Sequence, residues 1–278
     1  MTEQVVVVIG VGGMGEAIAR RQGPGRRLLV ADFNAETLES LASSLKSDGY
    51  DVSAHYVDVG SPESVQALAQ AAASDGAVTQ LVHTAGLSPT QASAEAILRV
   101  DLFGVAAVLE AFGEVIAPDG AGVVIASMSG HMIGDLPPDR QKDLATAPAD
   151  RLLALPFLGP DRVAHPGLAY ALAKYANRLR VAAESVRWAK RRARLNSISP
   201  GIIATPQGRQ ELEGESGVGM RAMIDASGAG RVGTPFDIAN AVAFLVGPES
   251  SFITGTDLLV DGGVVAATKS GAMTAGTN

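Results

Sequence analysis

The sequence predicts a doubly wound α/β fold: one parallel sheet with helices on both faces, in a single domain. Three observations carry that expectation. Short β-branched runs recur along the chain, alanine-rich stretches of helical period separate them, and glycine turns mark the junctions. The strand runs are apolar on successive residues rather than alternate ones, as strands covered on both faces are.

The predicted strands are residues 5–9, 28–31, 52–57, 78–82 and 123–126, with weaker candidates at 194–199 and 257–260. Helical patterns occupy 14–22, 35–46, 62–73, 94–112, 168–190 and 236–246. Residues 131–166 break this alternation. They hold six of the 14 prolines, carry mixed charges and keep no period, so they are expected to form a long irregular insertion. The polar, glycine-rich stretch 207–231 is expected to be a substrate flap. A domain spanning 1–263 would then end in a flexible tail, 264–278.

Composition narrows the function. The chain has 278 residues, 47% of them hydrophobic and 18% charged, and this excludes general disorder. It has no cysteine, so disulfides and thiolate metal sites are impossible. The four histidines show no metal-ligand spacing, and no metal is expected. A net charge of −7 argues against nucleic acid or an anionic membrane surface as partner. No apolar run approaches the roughly 18 residues of a membrane span, and the flanks of residues 5–9 do not suit a signal peptide. The expectation is a soluble cytoplasmic protein that acts on a small molecule.

Gly10-Val11-Gly12-Gly13-Met14-Gly15 matches GxGxxG. The pattern alone is cheap, with about 0.4 matches expected by chance at this glycine content. Gly228-Ala229-Gly230-Arg231-Val232-Gly233 matches it too, but follows no strand. The first match follows a strand and opens a helix, as a loop cradling a dinucleotide pyrophosphate does. Asp32 ends the second strand, where an acid accepts hydrogen bonds from a ribose 2′-hydroxyl and repels a 2′-phosphate. Phe33, not an arginine, follows it. NAD is therefore the expected cofactor.

Tyr170 and Lys174 stand at i and i+4 on one helix face, a pair expected by chance about 0.07 times. A phenol titrates near pH 10, and bringing it to about 7 takes roughly 4 kcal/mol of phenolate stabilisation. A neighbouring ammonium acts in that direction.

Further stretches complete a pattern. They are Asp58-Val59, His83-Thr84-Ala85-Gly86, Ile125-Ala126-Ser127-Met128-Ser129-Gly130, Asn196-Ser197-Ile198-Ser199-Pro200-Gly201-Ile202-Ile203-Ala204-Thr205, and Val260-Asp261-Gly262-Gly263. In order and spacing the chain resembles the short-chain dehydrogenases/reductases over nearly its whole length. That resemblance implies a Rossmann-type fold and alcohol–ketone interconversion. Ser127 would bond the substrate oxygen, with Ser129 the fallback. Tyr170 would exchange the proton, while Lys174 would hold the nicotinamide ribose and lower the tyrosine pKa. Asp58 and Val59 would meet the adenine and Ala85 and Gly86 the adjoining ribose. Ile203 and Thr205, on a cofactor stretch that includes Pro200 and Gly201, would meet the carboxamide. The family also implies a homodimer or homotetramer.

Several departures stand out. The glycine loop is one residue shorter than the usual GxxxGxG. Asp101 replaces the asparagine of the catalytic tetrad, and either modifies a proton relay towards Lys174 or only supports a helix bend. His83 replaces another asparagine and is expected to be a satisfied structural histidine. The 43-residue connection from Ser127 to Tyr170 resembles the subset typified by 3α-hydroxysteroid dehydrogenase/carbonyl reductase. It suggests a substrate wall, a lid or a subunit contact. Leu136, Leu152, Leu153, Leu155, Phe157, Leu158, Leu212, Met220 and Met223 suggest an apolar substrate such as a steroid, terpenoid or aromatic alcohol. The alternative function is a catalytically weak NAD-binding sensor or scaffold, although a pure binder has no chemical need of Ser127, Tyr170 and Lys174.

Overall fold

The computed structural model describes residues 3–271. β1 (Gln4–Ile9) leads into α1 (Gly13–Gln22), β2 (Arg27–Asp32) into α2 (Ala35–Ser47), and β3 (Val52–Tyr56) into α3 (Pro62–Asp75). After β4 (Ala77–His83) come α4 (Ala94–Ile97), a π-helical stretch (Leu98–Gly104) and α5 (Val105–Val115). β5 (Ile116–Ile125) ends at a 3₁₀ turn (Met128–His131), followed by α6 (Pro138–Thr146), α7 (Ala149–Leu152) and the long α8 (Pro166–Trp188). β6 (Arg194–Pro200) opens on α9 (Pro206–Glu213) and α10 (Gly217–Ala226). α11 (Pro235–Val246), β7 (Asp257–Val260) and α12 (Val264–Lys269) complete the order.

The seven strands form one parallel sheet in the order β3-β2-β1-β4-β5-β6-β7. β1 shows why its run is apolar throughout: Val5 to Ile9 are all fully buried. Val5, Val7 and Ile9 face the core under α3, α5 and α8, while Val6 and Val8 face the core under α1, α2 and α11. The strand order reverses between β1 and β4. The loops after these strands diverge there and open a crevice at the carboxyl ends of the strands.

Two expectations are corrected. Residues 131–166 are not a structureless loop. Pro138 opens α6, Pro148 is the N-cap of α7 and Pro166 opens α8, positions where a missing N–H costs nothing. Leu144, Leu152, Leu158 and Val163 of this segment are buried in the α8-side core. Buried Arg180 of α8 donates to the Ala147 carbonyl at 2.6 Å, and Glu110 of α5 accepts from the Ala149 N–H at 2.9 Å. These two bonds fasten the α6–α7 junction onto α8 and α5. The start of the expected tail is likewise ordered, because residues 264–269 form α12 and bury Val264, Val265 and Ala267. Asp261 accepts from the N–H groups of Gly263 and Val265 and so holds its first turn. Residues 272–278 of that tail lie outside the described residues.

Candidate active site

At the crevice between β1 and β4 lies a cleft of about 740 Å³. Its walls include Gly10, Gly12, Gly13, Met14, Gly15, Asp32, Phe33, Asp58, Val59, Ala85, Gly86 and Thr205, all singled out from the sequence. Asn34, Thr37, Thr84, Leu87, Val100, Pro206 and Gln207 join them unforeseen.

The glycine loop is shaped by contact. Gly10 has φ +87°, and a Cβ there would lie 2.4 Å from the Ala85 nitrogen. Thr84 donates its hydroxyl to the Gly10 carbonyl at 2.6 Å, binding the loop to the end of β4. Gly12 caps α1 with no side-chain hydrogen bond, and a Cβ built on it meets nothing within 4 Å. The first-turn N–H groups of α1 therefore face open space, as an anion-binding helix N-terminus requires. Asp32 Oδ2 accepts from the Val11 N–H at 2.7 Å and Oδ1 from the Asn34 N–H at 2.8 Å. A carboxylate has about four acceptor sites, so the amides fix its orientation and leave capacity for ribose hydroxyls. This donor and acceptor set fits a dinucleotide.

Pro200, Gly201 and Ile203 do not form that wall. Pro200 pairs with Val260, Gly201 packs against Asp261, and Ile203 is buried in the α1-side core. Thr205, Pro206 and Gln207 close the cleft there instead, and the Thr205 hydroxyl caps α9 through the Gly208 N–H.

Gly86 joins the cleft to the catalytic group. A Cβ on it would lie 2.8 Å from Asp101 Oδ2 and 3.2 Å from Lys174 Nζ. Lys174 is buried, 3.1 Å from that carboxylate, and donates to the Ile125 carbonyl at 3.3 Å. Its Nζ stands 5.4 Å from the centre of the Tyr170 ring. The Ser127 hydroxyl lies close enough to the Tyr170 phenol to lower its pKa, and it accepts from the Ser129 N–H at 3.2 Å. Ser127, not Ser129, is thus the serine that acts on the phenol.

Asp101 lies within the π-helical stretch, a geometry frequent at functional sites. It is fully buried, and its Oδ1 accepts from the Leu87 N–H at 2.8 Å. Burial pushes its carboxyl up, against the pull of Lys174 and the Leu87 amide. Burial works against the Lys174 charge, but Asp101 and Tyr170 outweigh it and hold the amine above its ordinary value. The Tyr170 phenol is pushed up by burial. Lys174 and the Ser127 hydroxyl pull it down, while Asp101 and Glu211 push it further up. Asp101 therefore offsets the cation that should make Tyr170 acidic.

His83 differs from the expectation of a satisfied side chain. It is buried, and neither ring nitrogen has a well-formed hydrogen bond among the described residues. Burial, reinforced by the Lys174 charge, lowers its pKa to about 3, with only the Ile9 carbonyl opposing. The imidazole is neutral at working pH. Among the described residues there is no group of three or more His, Asp or Glu side chains that could hold a metal, and no helix long and apolar enough to cross a membrane.

Residues 4–136 match the family described as short chain dehydrogenase, and residues 142–265 the one described as enoyl-(acyl carrier protein) reductase. The chain is 40% identical over 268 residues to the short-chain dehydrogenase/reductase bsc3 of Alternaria brassicicola, covering 96% of this chain and 97% of that protein. It is 30% identical to the galactitol 2-dehydrogenase (L-tagatose-forming) of Cereibacter sphaeroides, covering 92% of each. The crystal structure of gox2181 shares the fold, with a TM-score of 0.75 at 23% identity over 96% of this chain and 97% of that one. With such relatives spanning its length, the chain belongs to the short-chain dehydrogenase/reductase family of oxidoreductases.

Proposed function

We propose that the protein is an NAD-dependent oxidoreductase interconverting a secondary alcohol and a ketone. The observation that carries this reading is the meeting of Ser127, Tyr170 and Lys174 with the inner end of the nucleotide cleft, through Gly86. A nicotinamide dinucleotide bound in the cleft supplies hydride acceptance and donation. The α1 amides of Gly13, Met14 and Gly15 would receive its pyrophosphate, and Asp32 its adenosine ribose. Phe33, Asp58 and Val59 would flank the adenine, and Ala85 and Gly86 the next ribose. Thr205 would meet the carboxamide end.

The chain's own residues handle the proton. Tyr170 takes it from the substrate hydroxyl in oxidation and returns it in reduction. Ser127 holds the substrate oxygen beside the phenol, and Lys174 places a positive charge next to the developing phenolate. Asp32 supports NAD over NADP, because a carboxylate in the cleft wall, held through both oxygens by backbone amides, would repel a 2′-phosphate. Arg27, at the opposite end of β2, is engaged with Asp51 and Asp75.

For the substrate, the support favours an alcohol or polyol over a large apolar molecule. Leu152 and Leu158, counted from the sequence as apolar lining, are buried in the core. Besides the galactitol enzyme, the D-threitol dehydrogenase of Mycolicibacterium smegmatis is 28% identical over 94% of this chain, and both names describe polyol dehydrogenases. A cytoplasmic homodimer or homotetramer completes the reading, and exposed Phe236, Phe244 and Phe252 are apolar surface that a subunit interface would cover. The connection between Ser127 and Tyr170 remains the ground for likening the chain to the subset typified by 3α-hydroxysteroid dehydrogenase/carbonyl reductase.

The test is absorbance at 340 nm with secondary alcohols and either NAD or NADP. NADH formation at far lower cofactor concentration than NADPH formation supports the reading. A preference for NADP overturns the role of Asp32. NAD binding with no turnover of any alcohol favours a sensor.

A further inference from the structure

The place of the Ser127 hydroxyl depends on the turn that follows it. Ser127 lies just past β5 in extended conformation and caps the 3₁₀ turn Met128–His131, with the Gly130 N–H donating to its carbonyl at 3.0 Å. Hydrogen bonds of a 3₁₀ turn are poorly aligned, so one such turn does little to hold its own position.

Three contacts from outside hold it. Gly130 lies against the backbone of α8, where a Cβ on it would meet the Lys174 carbonyl carbon and the Tyr175 nitrogen at 2.7 Å. Arg178 continues the Tyr170–Lys174 face of α8 by one turn, and its Nη1 donates to the Gly130 carbonyl at 2.8 Å. His131 Nε2 donates to Asp257 Oδ2 at 2.7 Å, which links the end of the turn to the start of β7.

Asp257 anchors both side chains. Its Oδ1 accepts from the hydroxyls of Ser197 at 2.6 Å and Ser199 at 3.0 Å, both on β6, and Arg178 Nε lies 3.4 Å from Oδ2. A carboxylate has about four acceptor sites, and four groups already face them, so none is left for a ligand. The His131 and Asp257 side chains are largely buried, 14% and 9% exposed. They line a cavity of about 500 Å³ that shares no residue with the nucleotide cleft. His131 therefore stands in neither the cofactor wall nor the place of a proton acceptor.

We propose that His131 and Arg178 are positioning residues: anchored on Asp257, they clamp the turn after Ser127 against α8 and so set where the Ser127 hydroxyl stands relative to the Tyr170 phenol. This rests on the activity proposed for Ser127 and Tyr170 and adds residues that act on it from behind. Tyr170 and Arg178 share α8 two turns apart, so the Arg178–Gly130 bond references the serine turn to the helix that carries the phenol. The His131–Asp257 bond fixes the far end of the same turn to β6 and β7. A displacement of about 1 Å at a reacting group can cost about a hundredfold in rate.

The experiment measures NAD reduction by His131→Leu, His131→Gln, Arg178→Met and Arg178→Lys, using whichever of butan-2-ol, cyclohexanol, butane-2,3-diol and cyclohexane-1,2-diol the wild type oxidises fastest. NAD sites are counted by calorimetry, and kcat is expressed per site. A merely structural role lowers the number of sites and the melting temperature but leaves kcat per site unchanged. His131→Leu and Arg178→Met should each lower kcat per site by about tenfold to a hundredfold with unchanged affinity for NAD. His131→Gln and Arg178→Lys keep a donor within reach and should retain most of the rate. The variant carrying both His131→Leu and Arg178→Met should lose less than the product of the two single losses, because both residues hold one turn. Should His131→Leu have no NAD sites at all, Arg178→Met against Arg178→Lys makes the same comparison. Unchanged kcat per site in the Leu and Met variants, conservative variants as slow as these, or NAD affinity falling in step with kcat overturns the inference while the activity at Tyr170 stands. Failure of the wild type to oxidise any of the four alcohols overturns the inference and the proposed activity together.

Discussion

Replacing Asp101 by asparagine separates its charge from its shape. The amide oxygen can still accept the Leu87 N–H bond now made at 2.8 Å, so the junction between the β4 loop and the π-helical stretch keeps its link. What disappears is the negative charge 3.1 Å from Lys174 Nζ. Both side chains are almost wholly buried, so water cannot replace it. Removing one partner of a buried pair costs about 3–5 kcal/mol, because the other charge is stranded. In a domain of this size that lowers the melting temperature by roughly 10 °C. Adding Lys174→Met removes the stranded charge and should recover much of the loss without restoring turnover. Asp101 is one of the groups that push the Tyr170 phenol up. Without it the phenol ionises more readily. Alcohol oxidation needs the ionised phenol, so the acid-side limb of the pH–rate profile should move to lower pH. Thermal denaturation and a pH–kcat series on the single and double variants check both effects. An unchanged melting temperature together with an unmoved limb would refute the charge pairing and leave Asp101 as a support for the helix bend.

Other outcomes follow from the same geometry. Gly86→Ala places a methyl 2.8 Å from Asp101 Oδ2 and 3.2 Å from Lys174 Nζ. Displacing these groups should lower kcat by about a hundredfold, as steady-state rates would show. The His83 ring should show no protonation in an NMR titration from pH 9 down to about 4, because its pKa is lowered to about 3. Arg180→Met removes the bond to the Ala147 carbonyl and should destabilise the protein by about 3 kcal/mol. Limited proteolysis should then cut within residues 131–166 sooner than in the wild type.

Much of the fold was legible because its strands are buried on both faces. The run of apolar residues at 5–9 could hardly be anything else, and β7 has the boundaries expected from its sequence. β5 begins earlier than expected. Its first half contains Pro118, Asp119 and Gly120, poor strand formers, with Asp119 at φ +64°. Pairing with β4 across a register shift overrides local preference there. The prolines of residues 131–166 read as breakers, yet several of them start helices. That distinction depends on the register of the following turns, which this segment's weak hydrophobic period did not reveal.

The site was legible where backbone geometry dictates residue type. Glycines mark the loop, and the spacing of Tyr170 and Lys174 marks a helix face. The direction of the Asp101 side chain was not legible, since it depends on a π-helical winding that leaves no compositional trace. Glu211 was hidden for another reason: it meets Ser88, 123 residues away in sequence, only because the flap folds back over the loop after β4. Asn34, Thr37 and Leu87 became cleft residues simply by adjacency to residues already identified.

The most direct measurement is NAD reduction by wild type and Tyr170→Phe, with NAD binding measured by calorimetry on both. The variant should bind NAD as the wild type does and lose oxidation of secondary alcohols by about 10²–10⁴-fold, because only the proton-accepting oxygen is gone. Turnover that survives the substitution at the wild-type rate would contradict the central claim that Tyr170 carries the proton.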